Sequence, residues 1–154
     1  MLKQRSFVKT ILPLFALLLL TSLSAFSAAQ AQEKKSLYQR LGGYDALAAV
    51  TDDFIGRLAA DKQLSRFLVG LSDDSKKKLR QHFLNLLCQT TGGPCIYTGR
   101  DMKTTHKGLG ITESDWEASM KDLNATLDKF KVPQAERDEV VATVTSLKKD
   151  VVEK

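Results

Sequence analysis

The sequence predicts an all-α domain, and three observations carry that reading. Apolar residues recur at helical spacing in successive segments, capping residues and glycine or proline bracket those segments, and no stretch alternates apolar and polar residues between hairpin turns. The expected arrangement is two layers of helices, one pair crossing the other.

The first 31 residues stand apart from this domain. Lys3, Arg5 and Lys9 precede an apolar run from Ile11 to Leu20, and mostly small residues continue as far as Ala29-Gln30-Ala31. This is the layout of a secretory signal peptide cleaved after Ala31, which predicts an exported, periplasmic protein with its domain at residues 32–154. An uncleaved membrane anchor is the alternative, because the run continued through Phe26 approaches the length of a bilayer span. Only in that case is a membrane a partner. Without the segment, lysine plus arginine falls from 23 to 20 against 18 acids, a net charge of +2. So small an excess gives no electrostatic footprint for nucleic acid, and the Lys76-Lys77-Lys78 run reads as a solvated helix face.

Within the domain, a short helix at Ser36 to Leu41 is stopped by Gly42-Gly43. The next, Tyr44 to Ala60, carries Leu47, Val50, Phe54 and Leu58 on one stripe. After a turn near Leu64 to Leu68, Ser72-Asp73-Asp74-Ser75 can cap a helix from Asp74 to Thr90. Its apolar stripe is Leu79, Phe83, Leu86 and Leu87, with His82 inside it, and Gly92-Gly93-Pro94 ends it. A short helical segment, Arg100 to Lys107, runs into the breakers Gly108 and Gly110. Thr112 with Asp115 resembles a capping box, opening a helix with Trp116, Met120, Leu123, Leu127 and Phe130 inward. Pro133 suits the first turn of a final helix, along one side of which Val140, Val144, Leu147 and Val151 repeat.

A domain of this size has a hydrophobic core of its own and requires neither disulfide nor structural metal to fold. Cys88 and Cys95 are seven apart, and an oxidising compartment permits them to pair; two buried free thiols are the other reading. There is no C-x-x-C-H, so covalent haem attachment of the c type is not indicated.

Only two histidines occur in the chain, and a haem pocket would explain both settings. His106 lies four after Met102 on a short helix, where a neutral imidazole can give one ring nitrogen to iron while the other donates to a backbone carbonyl. Phe54, Leu79, Phe83, Leu87, Met102 and Leu109 are candidates to line the apolar cleft such a ligand requires. Taken alone, a histidine in this setting is more often a surface or hydrogen-bonded one. His82, between Leu79 and Leu86, could reach the opposite face of a haem; a satisfied core or boundary histidine is the alternative. Phosphate loops, nucleophile elbows and H-E-x-x-H are all missing, and the cysteine and histidine spacings match no familiar zinc site. Asp52-Asp53 and Asp73-Asp74 read as exposed or capping acids.

The order of motifs carries a resemblance. Ser36-Leu37-Tyr38-Gln39-Arg40-Leu41-Gly42-Gly43 resembles the opening of group I truncated haemoglobins. The stretch from Gly92-Gly93-Pro94 through Tyr97-Thr98-Gly99-Arg100-Asp101-Met102 to His106 resembles that family's loop into its proximal histidine, and Gly108-Leu109-Gly110-Ile111-Thr112 resembles the segment just after that histidine. The resemblance covers about residues 36 to 152. It implies a truncated globin fold, a two-over-two helical sandwich around one non-covalent haem b, with His106 as the proximal iron ligand. His82 falls where some members place a distal histidine that binds iron directly. Phe67, Tyr97 and Trp116 complete the set expected against the cofactor.

The departures bear on mechanism. Where many members carry a distal tyrosine and glutamine that hydrogen-bond oxygen, this chain has Ile55 and either Leu79 or Phe83, and Phe67-Leu68 stands for the usual Phe-Phe pair. Without those donors His82 is the remaining polar group, which argues against high-affinity oxygen storage and efficient nitric-oxide dioxygenation. The expected function is reversible binding of oxygen, carbon monoxide or nitric oxide, by a monomer served by an unidentified reductase. A nitric-oxide dioxygenase or peroxidase-like scavenger, a bis-histidine electron-transfer module and a haem-free helical interaction domain are the rivals.

Overall fold

The computed structural model describes residues 34–154. The export segment, its cleavage site and the alternative of a retained anchor lie outside the described residues.

The helices that follow Ser36, Ser72, Asp101 and Thr112 each begin where that side chain accepts a free N–H group. Ser36 caps α1, Leu37–Arg40, through a capping box with Gln39. Gly42, in the left-handed region at φ 98°, turns the chain directly into α2, Gly43–Ala60. A 3₁₀ turn comes next, at Ser65–Phe67. Ser72 accepts from Ser75 N–H to start α3, Asp73–Thr90, and the acids Asp73 and Asp74 in its first turn suit the helix dipole. Asp101 caps α4, Met102–His106. The Thr112–Asp115 capping box opens α5, Glu113–Lys129, and Pro133 precedes α6, Gln134–Thr145, with α7 at Lys148–Val151. The fold is all-helical among the described residues, as the sequence predicts.

Helix α2 is central, packing against α3 and α5, while α1 leans on α2 and α6 and α4 packs on α7. Phe54 of α2 joins Leu37, Leu123, Leu127 and Val140 in one core cluster, and Leu47 of the same helix joins Leu84, Leu87 and Cys88 in the other. Leu47, Leu84 and Leu127 are at most 1% exposed, and burial of each such side chain contributes about 1.5–3 kcal/mol. Cys88 and Cys95 form a disulfide, their Cα atoms 5.7 Å apart, so the free-thiol alternative does not hold in this structure.

Three expectations are corrected. Phe130 is 38% exposed, not inward, because α5 ends before it and its N–H caps the last turn. The short helix starts at Met102, two residues later than expected, since Asp101 takes the capping position. The final helix is two. At its break Leu147 N–H donates to Val144, three residues back instead of four, and Ser146 Oγ donates to the Thr143 carbonyl. Hydroxyl residues that compete for local carbonyls are known to bend helices in this way.

Candidate metal centre

Helix α4 exists to present one side chain. The Asp101 carboxylate accepts from the Thr104 N–H at 2.8 Å and from its hydroxyl at 2.7 Å, and these bonds hold its pKa below the usual carboxylate value. Four residues after Met102, the half-buried His106 donates from Nδ1 to the Met102 carbonyl at 2.8 Å. A carbonyl can only accept, so Nδ1 carries a proton, and in the neutral ring the lone pair is then on Nε2. That tautomer is the one an imidazole needs to ligate a metal through Nε2, with the ring already oriented.

The turn after His106 is fixed from the far end of the chain. Gly108 and Gly110 adopt φ values of +84° and +65°, and their N–H groups both donate to the Glu153 carboxylate. Those backbone donors, Gly108 first, pull the Glu153 pKa below its ordinary value. Glu153 N–H in turn donates to the Ile111 carbonyl at 2.8 Å.

His82 faces differently. On α3 the residues buried against α2 are Leu84, Leu87 and Cys88, while Leu79, His82, Phe83 and Leu86 form a half-buried face one step around the helix. His82 Nδ1 is buried with no hydrogen-bond partner among the described residues. The Tyr97 ring meets the imidazole edge-on, centroids 6.0 Å apart and planes at 76°.

The other predicted pocket residues divide into two groups. Phe54, Phe83 and Leu87 line an apolar cavity of about 160 Å³ with Val50, Leu123 and Leu127, and the Phe54 and Phe83 rings lie 5.3 Å apart. Neither Phe67, Leu79, Tyr97, Met102, Leu109 nor Trp116 reaches that cavity. Trp116 is buried, Leu109 is 46% exposed, and Phe67, Leu79, Tyr97 and Met102 are half-buried, with the Arg66 guanidinium 4.4 Å above the Phe67 ring. The cavity is smaller than the ~300 Å³ at which cofactor pockets begin. Phe83 belongs both to this cavity and to the half-buried face of α3, so the two adjoin. The donor set fits a haem there: one imidazole has its tautomer set for ligation, the other has an orphaned nitrogen, and the surrounding side chains are apolar.

Sequence reasoning missed two polar centres that brace this scaffold. Asp53, expected to be an exposed acid, is a hub that accepts from Arg57, Lys129 and the Thr126 hydroxyl, with its pKa held at about 2, chiefly by Lys129. Asp115, 1% exposed, accepts from Arg66, Gln63 and Thr112; these bonds outweigh the desolvation that would raise its pKa and leave it well below the carboxylate range. The spacing of Asp53 and Arg57 was a visible i, i+4 signal. Glu153 lies more than forty residues from its partners in sequence, and no local pattern marks it.

Comparison with known proteins places this geometry in context. The bacterial-like globin family matches residues 36–153. The chain is 32% identical over 119 residues to the group 1 truncated haemoglobin GlbN of Mycolicibacterium paratuberculosis, covering 77% of this chain and 85% of that protein. It is 29% identical over 120 residues to the group 1 truncated haemoglobin of Tetrahymena pyriformis, covering 78% and 97%. The crystal structure of that Tetrahymena protein in its Fe(III) form superposes with a TM-score of 0.70 at 27% identity, over 78% of this chain and all of the other. A Synechococcus 2/2 haemoglobin in the cyanomet state, with covalently attached haem, does so with a TM-score of 0.70 at 31% identity, over the same shares.

Proposed function

We propose, from the premise that this chain belongs to the group 1 truncated haemoglobins, that it holds one haem b between α3 and α4 with His106 as the proximal ligand. Family membership makes it a haem-containing globin that binds diatomic gases. The haem iron, when bound, supplies the coordination position for oxygen, carbon monoxide or nitric oxide. The single observation that carries the assignment is the Met102–His106 hydrogen bond, which orients the ring and, in its neutral form, leaves Nε2 as the ligating nitrogen.

Leu79, Phe83 and Leu86 on α3 and Met102 on α4 would shield the apolar part of the macrocycle from water. His82 is the second axial ligand in this reading: its Nδ1 makes no bond that would anchor the ring elsewhere. A gas must then displace it, and apparent affinity falls by the fraction of molecules in which it is detached. The chain's two cysteines are bonded to each other, so neither is free to form a thioether with haem, which supports non-covalent attachment. Export to the periplasm, a monomeric state and service by a reductase complete the proposal.

The test is the ultraviolet-visible spectrum of the purified protein, oxidised and reduced, with and without carbon monoxide. His106→Ala is expected to abolish stoichiometric haem binding while the helical circular-dichroism signal persists. His82→Leu is expected to convert a six-coordinate low-spin ferric spectrum into a high-spin one. Retention of an unaltered spectrum by the position-106 variant defeats the proximal assignment, and by the position-82 variant the distal one.

A further inference from the structure

The loop between α3 and α4 is built as a strap across the end of the half-buried face. Cys95 is joined to Cys88, whose side chain is entirely enclosed. Two residues on, the Tyr97 N–H donates to Gln89 Oε1 at 2.6 Å, and its hydroxyl donates to the Arg100 carbonyl at 2.6 Å. That carbonyl also accepts from the Thr105 hydroxyl in α4 at 3.3 Å, which links the strap to the helix bearing His106. A Cβ at position 99 would stand within 2.7 Å of a Tyr97 ring carbon, so only glycine lets the ring lie where it does. Tyr97 is therefore fastened through its N–H and its hydroxyl, two residues from a covalent tie, and its ring stands T-shaped to His82.

We propose that Tyr97, held by the Cys88–Cys95 disulfide, is the positioning residue that orients the His82 imidazole for iron, so that reducing this disulfide makes His82 easier for a gas to displace. The inference rests on the reading of His82 as the distal ligand. An aromatic edge contact restricts rotation of the neighbouring ring, and a ring already held in one orientation loses less freedom when it coordinates. Nδ1 of His82, buried without an acceptor, supplies no orienting hydrogen bond of its own. The Tyr97 contact does that work instead. An external dithiol reduces the disulfide by two electrons and two protons: the S–S bond breaks, two thiols form, and the dithiol closes to its own cyclic disulfide. The strap then keeps only its hydrogen bonds, and the grip on His82 loosens.

The experiment uses the haem-loaded protein in the ferrous state, where a thiol reductant leaves the iron unchanged. Carbon monoxide rebinding after flash photolysis reads the competition between the gas and His82, and proton NMR of the carbon-monoxide form reads the His82 ring signals. Tyr97→Leu is expected to speed carbon monoxide association by up to about tenfold, the ratio that an aromatic contact of this kind supports, and to shift the His82 ring protons as the Tyr97 ring current is lost. Tyr97→Phe, which keeps the ring, should stay within about twofold of the native protein. Dithiothreitol, or Cys95→Ser, should speed association in the native protein by about threefold and leave Tyr97→Leu unaffected. Unchanged or slower association in Tyr97→Leu, or an equal response of native and Tyr97→Leu proteins to dithiothreitol, overturns the proposal while leaving His82 as a ligand. Should His82→Leu leave the ferric spectrum unaltered, the ligand reading fails and the positioning role falls with it. If Tyr97→Leu does not fold, dithiothreitol on the native protein decides the matter: association that is not faster, or His82 ring signals that do not move, overturns the proposal.

Discussion

On the side of α3 that meets α2, Leu84 and Cys88 have no exposed surface and Leu87 keeps 8%, whereas on the side that bears His82, Leu79, Phe83 and Leu86 stay half-buried. Polar groups follow less strictly, since Thr51 Oγ1 in the closed core and Asp122 Oδ2 also lack partners among the described residues. Asp115, deep in the scaffold, has three partners, and Asp53 has three; His82 Nδ1 has none. One helix thus carries a finished face and an unfinished one. The finished face supplies folding free energy from the polypeptide alone, and the unfinished face makes sense as a surface that a cofactor completes, because three large apolar side chains there stay half-buried beside His82.

The sharpest way to break this comparison is to truncate one leucine on each face. Leu84→Ala should destabilise the protein by about 2–5 kcal/mol whether or not haem is bound, since it opens a cavity in a closed core. Leu79→Ala should be far milder in the haem-free protein and should gain its effect only when haem is present. Urea unfolding of both variants, with and without haem, measures this directly. If Leu79→Ala costs the same in both states, its face is core after all and the cofactor lies elsewhere.

How much of the molecule is legible in the sequence depends on the range of the interaction. Helix starts are readable because their causes are local: Ser72, Thr112 and Asp115 act within three residues. His106 can be singled out because its orienting partner, Met102, is one turn away. The predicted stripe on α3, Leu79, Phe83, Leu86 and Leu87, merges the two faces, because periodicity marks apolar residues without saying whether protein or cofactor covers them. Leu84 and Cys88 escape it for that reason. The division of the last helix escapes it because each of Thr143, Thr145 and Ser146 is tolerated in a helix, and only their succession tips the ladder.

Acid titration sharpens the comparison from the polar side. Asp53 has its pKa lowered from 3.8 to about 2 by Lys129, Arg57 and Thr126, so its folded form binds the proton less readily than its unfolded form. A depressed carboxylate contributes stability that is fully present above the unfolded pKa and is lost as pH falls through the folded one. The urea midpoint should therefore be level above about pH 5 and decline between about pH 4 and 2. Asp53→Asn should start lower and fall less over that interval. A decline of equal depth in Asp53→Asn would assign the acid sensitivity to other groups, Asp115 first among them, since its pKa is also strongly depressed.

The smallest effect is expected at Glu153, where the C-terminal segment meets the loop behind His106. Its carboxylate accepts from Gly108 and Gly110 with one oxygen each, while an amide offers a single acceptor oxygen. Glu153→Gln should therefore free one of the two glycine N–H groups and loosen the turn without reaching the closed core. Glu153 is exposed and acts on His106 chiefly through the backbone of the turn, its charge being the smaller influence, so haem loss should quicken by less than the ~10-fold typical of a residue that touches the metal ligand itself. The urea midpoint of the haem-free protein should not move. Haem transfer to a scavenging apoglobin gives the rate, and amide exchange at Gly108 and Gly110 reports the turn. Faster haem loss with both amides still protected would mean that Glu153 acts through its charge and not through the turn, and the finished and unfinished regions would then be coupled by field rather than by structure.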